Sequence, residues 1–282
     1  MNNNRFKKLL ILYSKYVYLK IWQKIKGYPN LHLPSSKAKI SKIPFYEYKV
    51  YIRPSASDLE RISEFSENVY LSESYLYSAT VKSNPTVLLD LGANIGLSTL
   101  SLLIKFPSIT KVIGIEAEKE NFGVLKQNYE YWASNFSEVE FIPIFGIASN
   151  KQNKFFDQNI LSTEGKYTTS AVFRFTPNKK NTNNNNTVKT FCVNDFIKKN
   201  TADNENIICK LDIEGGEEYL LEDNTDWISN VSFLTVELHD RFDKSLITSS
   251  VNLLKLLSKY DFAVHPQKDI LHCYSRKNIS LP

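Results

Sequence analysis

Val87-Leu-Leu-Asp-Leu91, followed at once by Gly92-Ala-Asn-Ile-Gly96, constrains the fold of this chain more than any other stretch. Val87 to Leu91 is an almost unbroken apolar run, the pattern of a strand buried on both faces. From Ile95 to Phe106 the apolar residues recur at helical spacing, so the strand is predicted to feed a helix that packs back on it. Between the two, Gly92 and Gly96 permit a sharp backbone turn and let a ligand approach the main chain. A helix N-terminus at such a turn offers N–H groups and positive potential to a carboxylate or phosphate. A second apolar run, Val112-Ile-Gly-Ile-Glu116, ends in a carboxylate twenty residues beyond Gly96. At the tip of the neighbouring strand that acid is placed to accept hydrogen bonds from ribose hydroxyls.

Glycine spacing separates the possible ligands. A pyrophosphate turn needs GxGxxG, and Asn94 and Leu97 stand where its later glycines belong, which disfavours a dinucleotide. Asp90-x-Gly92-x-Asn94-x-Gly96 instead resembles motif I of class I S-adenosylmethionine-dependent methyltransferases. The resemblance implies that Asp90, Gly92, Ala93, Asn94 and Gly96 form the turn around the methionine half of the cofactor. Glu116 and Ala117 then take its ribose side. Gly146, Ile147 and Ala148, just past the third strand, are where a small apolar wall for adenine falls.

Composition excludes several other classes. Cys192, Cys209 and Cys273 are odd in number and lack CxxC spacing, which argues against a disulfide framework or zinc site and for a reducing compartment. The net charge of +5 hides an asymmetry: residues 1–46 carry ten of the 35 Lys and Arg and no acid, leaving 25 bases against 30 acids elsewhere. A body of net charge −5 makes nucleic acid a poor substrate. In residues 5–26, Phe6, Leu10, Tyr13, Val17 and Ile21 share one helical stripe, with Lys8, Lys15 and Lys26 opposite. The segment is too interrupted by charge to span a bilayer and has no cleavable-signal pattern. It suits the surface of an anionic membrane, a partner, its own body or a second copy in a homodimer. The implied localisation is cytoplasmic, at most peripheral at the inner face of a membrane.

Beyond Pro44, Tyr46 to Arg53 is predicted as a short strand and Asp58 to Ser83 as helical. The chain then alternates: strands at 87–91, 112–116 and 138–145, with helices at 95–106 and 121–135 between them. After an interruption holding short strands at 154–156 and 170–176 and a solvated, Asn-rich tip at 178–186, the alternation resumes. A helix is predicted at 194–199, a strand at 207–212, a helix at 217–221, a strand at 231–238 and an amphipathic helix at 247–260. A closing hairpin follows at 262–265 and 271–275. Such alternation implies a parallel sheet with right-handed crossovers.

Lys210-Leu-Asp-Ile-Glu-Gly-Gly-Glu217 and Val236-Glu-Leu-His239 lie at the carboxyl ends of two predicted strands, where open α/β sheets bind ligands. Strand alternation projects Lys210, Asp212 and Glu214 together, and Glu237 with His239. So many ionisable groups in one cleft are costly unless paired, hydrogen-bonded or bound to a cation, which points to function rather than packing. Taken in order, the strings at 88–96, 210–217 and 236–239 resemble the FkbM family of methyltransferases. That resemblance implies methylation of a hydroxyl, commonly on a sugar or a polyketide. It also implies an α/β, Rossmann-like class I fold: a mostly parallel seven-stranded sheet, helices on both faces and an antiparallel C-terminal hairpin.

On this reading residues 1–45 are a basic helical extension and 46–282 the methyltransferase domain, with a helical lead-in at 46–86 and an insertion at 146–190. The Asn-rich loop and the lysine-rich N-terminus are no part of the family pattern, so they bear on the acceptor rather than the reaction. An alcohol acceptor needs a base, and Asp212 and His239 are the first candidates. Glu214 and Glu237 serve as orienting or acceptor-binding groups, and Lys210 as the partner of an acid. Asp212, Glu237 and His239 are also the set that would hold Mg²⁺ or Mn²⁺. The expected acceptor is a sugar nucleotide or surface glycan precursor. A non-sugar hydroxyl is the alternative, as is a non-catalytic nucleotide-binding module tethered by the basic N-terminus.

Overall fold

The computed structural model describes residues 41–45, 48–53, 58, 85–161, 172–180, 187–202, 205–213, 216–237, 239, 247–267 and 270–277. The basic segment 5–26, nearly all of the helical lead-in, the end of the Asn-rich tip and Glu214 lie outside the described residues.

Strands β1 (Ser41–Phe45) and β2 (Tyr48–Ile52) pair as an antiparallel hairpin. Residues 41–45, read from sequence as the end of a helical extension, are therefore strand. Apolar residues at 43, 45, 48, 50 and 52 explain this, and Val50 and Ile52 are buried. Next come β3 (Thr86–Leu91), α1 (Leu97–Lys105), β4 (Ile109–Glu116), α2 (Lys119–Trp132) and β5 (Glu140–Phe145). Helix α1 opens at Leu97 rather than Ile95 because its cap, Gly96, sits in the left-handed region at φ 91°. Glu118 caps α2, its carboxylate accepting from the N–H groups of Glu120 and Asn121.

The insertion is a small sheet of its own. It contains β6 (Ile147–Ser149), β7 (Phe155–Leu161), β8 (Val172–Pro177) and β9 (Thr187–Cys192), in the order β6-β9-β7-β8. Strand β6 and its neighbour β9 went unforeseen; the three apolar or small residues of β6 are too few to show a period. The main sheet resumes through α3 (Val193–Asn200), β10 (Asn206–Leu211), α4 (Glu217–Leu221), β11 (Val231–Glu237), α5 (Ile247–Lys259), β12 (Phe262–Gln267) and β13 (Ile270–Ser275).

The seven main strands lie in the order β12-β13-β11-β10-β3-β4-β5. Pairs β11–β10, β10–β3, β3–β4 and β4–β5 are parallel, and β13 runs antiparallel to both β11 and β12. Leu88, Val112, Ile208 and Phe233 enter one core with α1 and α2, whereas Leu89, Ile113, Cys209 and Leu234 enter the other with α3, α4 and α5. Burial on both faces is why these strands read as continuous apolar runs. The result is a Rossmann-like α/β fold with helices on both faces and an antiparallel C-terminal hairpin. Among the described residues no helix is long and apolar enough to cross a membrane. In β10 and β3, Lys210 stands opposite Asp90, so the charged strand tips and the glycine turn meet at one edge of the sheet.

Candidate functional site

Past Leu91 the chain passes through three left-handed residues, Gly92 (φ 80°), Asn94 (φ 52°) and Gly96 (φ 91°). Asparagine is among the few side chains that tolerate this region, which is why Asn94 stands where a glycine would otherwise serve. Gly92 has a second reason to lack a side chain. A Cβ there would lie 1.8 Å from the carbonyl oxygen of Asp212, so the turn and the tip of β10 are in direct contact. The Asp212 N–H also donates to the Leu91 carbonyl at 3.1 Å, extending the strand pairing by one residue.

Glu116 closes the other side of the turn. Its Oε2 accepts the Asn94 N–H at 2.8 Å and its Oε1 accepts the Glu118 N–H at 2.8 Å. Oε1 also accepts from Asn121 Nδ2 at 3.5 Å, while Oε2 keeps a further lone pair, so the carboxylate can hold the turn and still accept from a ligand hydroxyl. Burial pushes this carboxyl up to about 6, against the two N–H bonds, which pull the other way.

Asp90 lies beneath the turn and is fully buried. Its Oδ2 accepts from Ser98 Oγ at 2.8 Å and Thr99 Oγ1 at 2.5 Å, and Thr99 in turn meets the hydroxyl of Tyr129 at 2.9 Å. Burial, then the Asp90 charge, holds the Tyr129 phenol well above its ordinary range, so it stays protonated. Lys210 joins the halves of the site: its Nζ donates to the Gly92 carbonyl at 2.6 Å and lies 3.2 Å from Asp212 Oδ2 and 3.5 Å from Asp90 Oδ1. Burial alone lowers an ammonium's pKa, but the charges of Asp212 and Asp90 outweigh it and Lys210 is raised.

At the tips of β10 and β11 three side chains form an array. His239 Nδ1 lies 2.8 Å from Glu217 Oε1, both side chains buried, and His239 Nε2 lies 3.5 Å from Asp212 Oδ1. A carboxylate only accepts, so the hydrogen-bonded Nδ1 carries a hydrogen, and the ring's other nitrogen, Nε2, is turned toward Asp212. The Glu–His pair therefore has the form of an oriented proton acceptor. Asp212 is ion-paired with Lys210 at 3.2 Å.

Of the residues singled out from sequence, Asp90, Gly92, Asn94, Gly96, Glu116, Lys210, Asp212 and His239 converge on this edge. Glu237 lies close enough for its charge to act on Lys210. Ala93 completes the turn, its N–H and that of Gly92 both donating to the Ile115 carbonyl. The Gly146 N–H donates to the Glu116 carbonyl, and Ile147 packs with Ala117 in a small cluster under the insertion. Ala148 is buried in the core shared with α3, α4 and α5. Among the described residues no group of three His, Cys, Asp or Glu is arranged to hold a metal ion, so Asp212, Glu237 and His239 are not brought together as ligands. Instead, the cation against Asp212 is the Lys210 ammonium.

Glu217 was missed. Its place in the sequence suggested a helix cap, yet α4 is capped by Gly216 without a side-chain bond, and Glu217 turns to His239 instead. Only its spacing of five residues from Asp212, across a glycine pair, hinted that it returns to the same edge. Beside the insertion lies a depression of about 370 Å³, lined in part by Asn150, Lys154, Phe155, Asn178 and Tyr219. It flanks α4 rather than the strand tips.

Comparison with known proteins bears on this geometry. Residues 90–264 match the Methyltransferase FkbM domain. Over 171 residues the chain is 25% identical to the hexuronic acid methyltransferase AglP of Haloferax volcanii, covering 60% of this chain and 63% of that protein. The chain thus spans less than two thirds of that relative's length. Among solved structures it is similar to an FkbM methyltransferase of Methylobacillus flagellatus, at 17% identity and TM-score 0.42, covering 71% of this chain and 46% of that one. It is also similar to the magnesium protoporphyrin IX methyltransferase of Synechocystis, at 10% identity and TM-score 0.39, covering 78% and 83%. With the domain matched across more than half of its residues, from the buried acid of the glycine turn past the histidine at the last parallel strand, the chain belongs to the FkbM methyltransferase family.

Proposed function

We propose that the chain is an S-adenosylmethionine-dependent O-methyltransferase acting on a carbohydrate hydroxyl in a sugar nucleotide or surface glycan precursor. The observation that carries this reading is the Glu217–His239–Asp212 array set against the left-handed turn at Gly92. The residues present fit the cofactor: the bend at 92–96 leaves main chain approachable, and Glu116 Oε2 keeps a lone pair for a ligand hydroxyl. When bound there, S-adenosylmethionine supplies an electrophilic methyl group.

The chain's own residues supply the rest. An acceptor hydroxyl between Asp212 and His239 gives its proton to His239 Nε2 as its oxygen forms the new carbon–oxygen bond and the carbon–sulfur bond breaks. Glu217 holds the ring in the required tautomer and balances the imidazolium that forms. Asp212, kept charged by Lys210, accepts from a neighbouring acceptor hydroxyl and so orients the nucleophile in line. The carbohydrate part of the reading is supported by the likeness to the hexuronic acid methyltransferase of Haloferax volcanii. Methyl-labelled S-adenosylmethionine offered with sugar nucleotides and uronic acids is expected to label a sugar. Label found only in protein or nucleic acid refutes the reading, and label in a non-sugar hydroxyl overturns the carbohydrate part alone.

The raised Glu116 carboxyl has its own consequence. Only the charged form accepts at both oxygens, and the protonated fraction grows as pH falls below about 6. The dissociation constant for S-adenosylhomocysteine is therefore expected to be flat above pH 7 and to rise toward tenfold per pH unit below the Glu116 transition. A Glu116→Gln protein should bind more weakly with no such dependence. Calorimetry across pH 5–8 checks this, and a flat wild-type curve contradicts it.

A further inference from the structure

We infer that the β1–β2 hairpin, which precedes the family-matched residues, is a working part of the cofactor site, pressing α2 against both sides of the glycine turn, with Asn128 and Arg53 as positioning residues. The inference rests on the cofactor reading above.

Helix α2 touches the cradle at three levels, and the hairpin grips it at the same three. At its first turn, the Glu118 N–H holds Glu116 Oε1, while the Glu118 carboxylate accepts the Asn121 N–H at 2.6 Å. From the end of β2, Arg53 Nη2 donates to Asn121 Oδ1 at 2.6 Å, and Nη1 lies 3.9 Å from Glu118. Arg53 is itself locked by Asp58, which accepts its backbone N–H at 2.7 Å and its Nη2 at 2.8 Å. In mid-helix, fully buried Asn128 spans the two structures. Its Oδ1 accepts the Tyr51 N–H at 2.6 Å, and its Nδ2 donates to the Tyr51 carbonyl at 3.0 Å and to the Ile95 carbonyl of the turn at 2.8 Å. At the last turn, Trp132 Nε1 donates to the Lys49 carbonyl at 3.0 Å, and its ring packs where a Gly96 Cβ would come within 3.1 Å.

An isolated two-stranded hairpin is at best marginally stable, and this one pairs with no other strand among the described residues. Its order comes from α2, and the same bonds fix how closely α2 seats on Glu116 and Gly96. A buried amide spending all three of its bonds on one strand residue and one turn carbonyl costs more to satisfy than an apolar side chain, so it specifies position as well as stability.

The test separates cofactor affinity from turnover. Asn128→Asp keeps the acceptor for the Tyr51 N–H but turns the donor facing Ile95 into an acceptor. It is expected to raise the dissociation constant for S-adenosylhomocysteine about tenfold, and Arg53→Gln about threefold, the scale of one or two lost hydrogen bonds. In both, kcat at saturating S-adenosylmethionine should stay within about twofold of wild type, since no contact to His239 changes. Leu257→Val, in the core on the opposite face of the sheet, is the control for lost stability alone and should leave affinity unchanged. Unchanged affinity in both clamp variants, or an equal loss in Leu257→Val, overturns the inference. If Asn128→Asp does not fold, Arg53→Gln against the control decides. Failure of wild type to bind S-adenosylhomocysteine would instead sink the cofactor reading, so the two failures are distinct.

Discussion

Replacing His239 by alanine is expected to lower kcat by roughly 10²–10⁴-fold, the range for removal of a positioned general base, with cofactor affinity within about threefold of wild type. The size follows from the array at the strand tips. Nε2 belongs to a ring oriented by Glu217, which holds Nδ1 at 2.8 Å, whereas Asp212 lies 3.2 Å from the Lys210 ammonium. Glu217→Gln, which can present an N–H to Nδ1 and so favour the wrong tautomer, should lose activity in the same direction by about tenfold or more. Asp212→Asn should act chiefly on acceptor KM. Steady-state kinetics on the three proteins decides the order. A larger kcat loss in Asp212→Asn than in His239→Ala would transfer the base to the aspartate.

The second large effect concerns stability. Lys210→Met leaves Asp90, fully buried, and Asp212 without their ammonium, and removes the donor to the Gly92 carbonyl. Breaking a buried pair by deleting one partner typically costs about 3–5 kcal/mol, because the surviving charge stays desolvated. Exposed pairs such as Lys126–Glu130 belong to the class worth about 0–1 kcal/mol, so replacing Lys126 should be nearly silent. Adding Asp90→Asn to Lys210→Met removes one orphaned charge and should recover part of the loss. Urea unfolding of the four proteins measures this. A loss below about 1 kcal/mol in Lys210→Met would show that water reaches the pair and that the ammonium does not join the halves of the site.

What could be read from the sequence, and what could not, divides along the range of the interactions. The strand at 87–91, the turn and Glu116 were legible because a buried strand, a glycine bend and a strand-tip acid leave local marks in one short stretch. Lys210 and Asp212 followed from strand alternation, a rule of period two. The role of Glu217 was not legible, since whether an acid at a helix start caps that helix or reaches a histidine 22 residues on depends on the parallel pairing of β10 and β11. Asp212, Glu237 and His239, named as the set for a divalent ion if one binds, share an edge, but among the described residues they are not grouped as ligands, and a lysine lies within hydrogen-bonding reach of Asp212. Asn128 gave no signal at all. An asparagine inside a helical pattern is unremarkable until a strand 77 residues earlier is seen to lie against it. The small sheet of the insertion was half legible, its aromatic strands showing through composition while β6 was too short to mark itself.

The most direct test of the account is a crystal structure of the protein with S-adenosylhomocysteine. The ribose hydroxyls should lie on Glu116, the homocysteine chain along the bend at 92–96, and the sulfur should face the gap between Asp212 and His239, leaving room for an acceptor oxygen about 3 Å from a methyl group on it. A sulfur turned away from His239, or a ligand bound on another edge of the sheet, would contradict it.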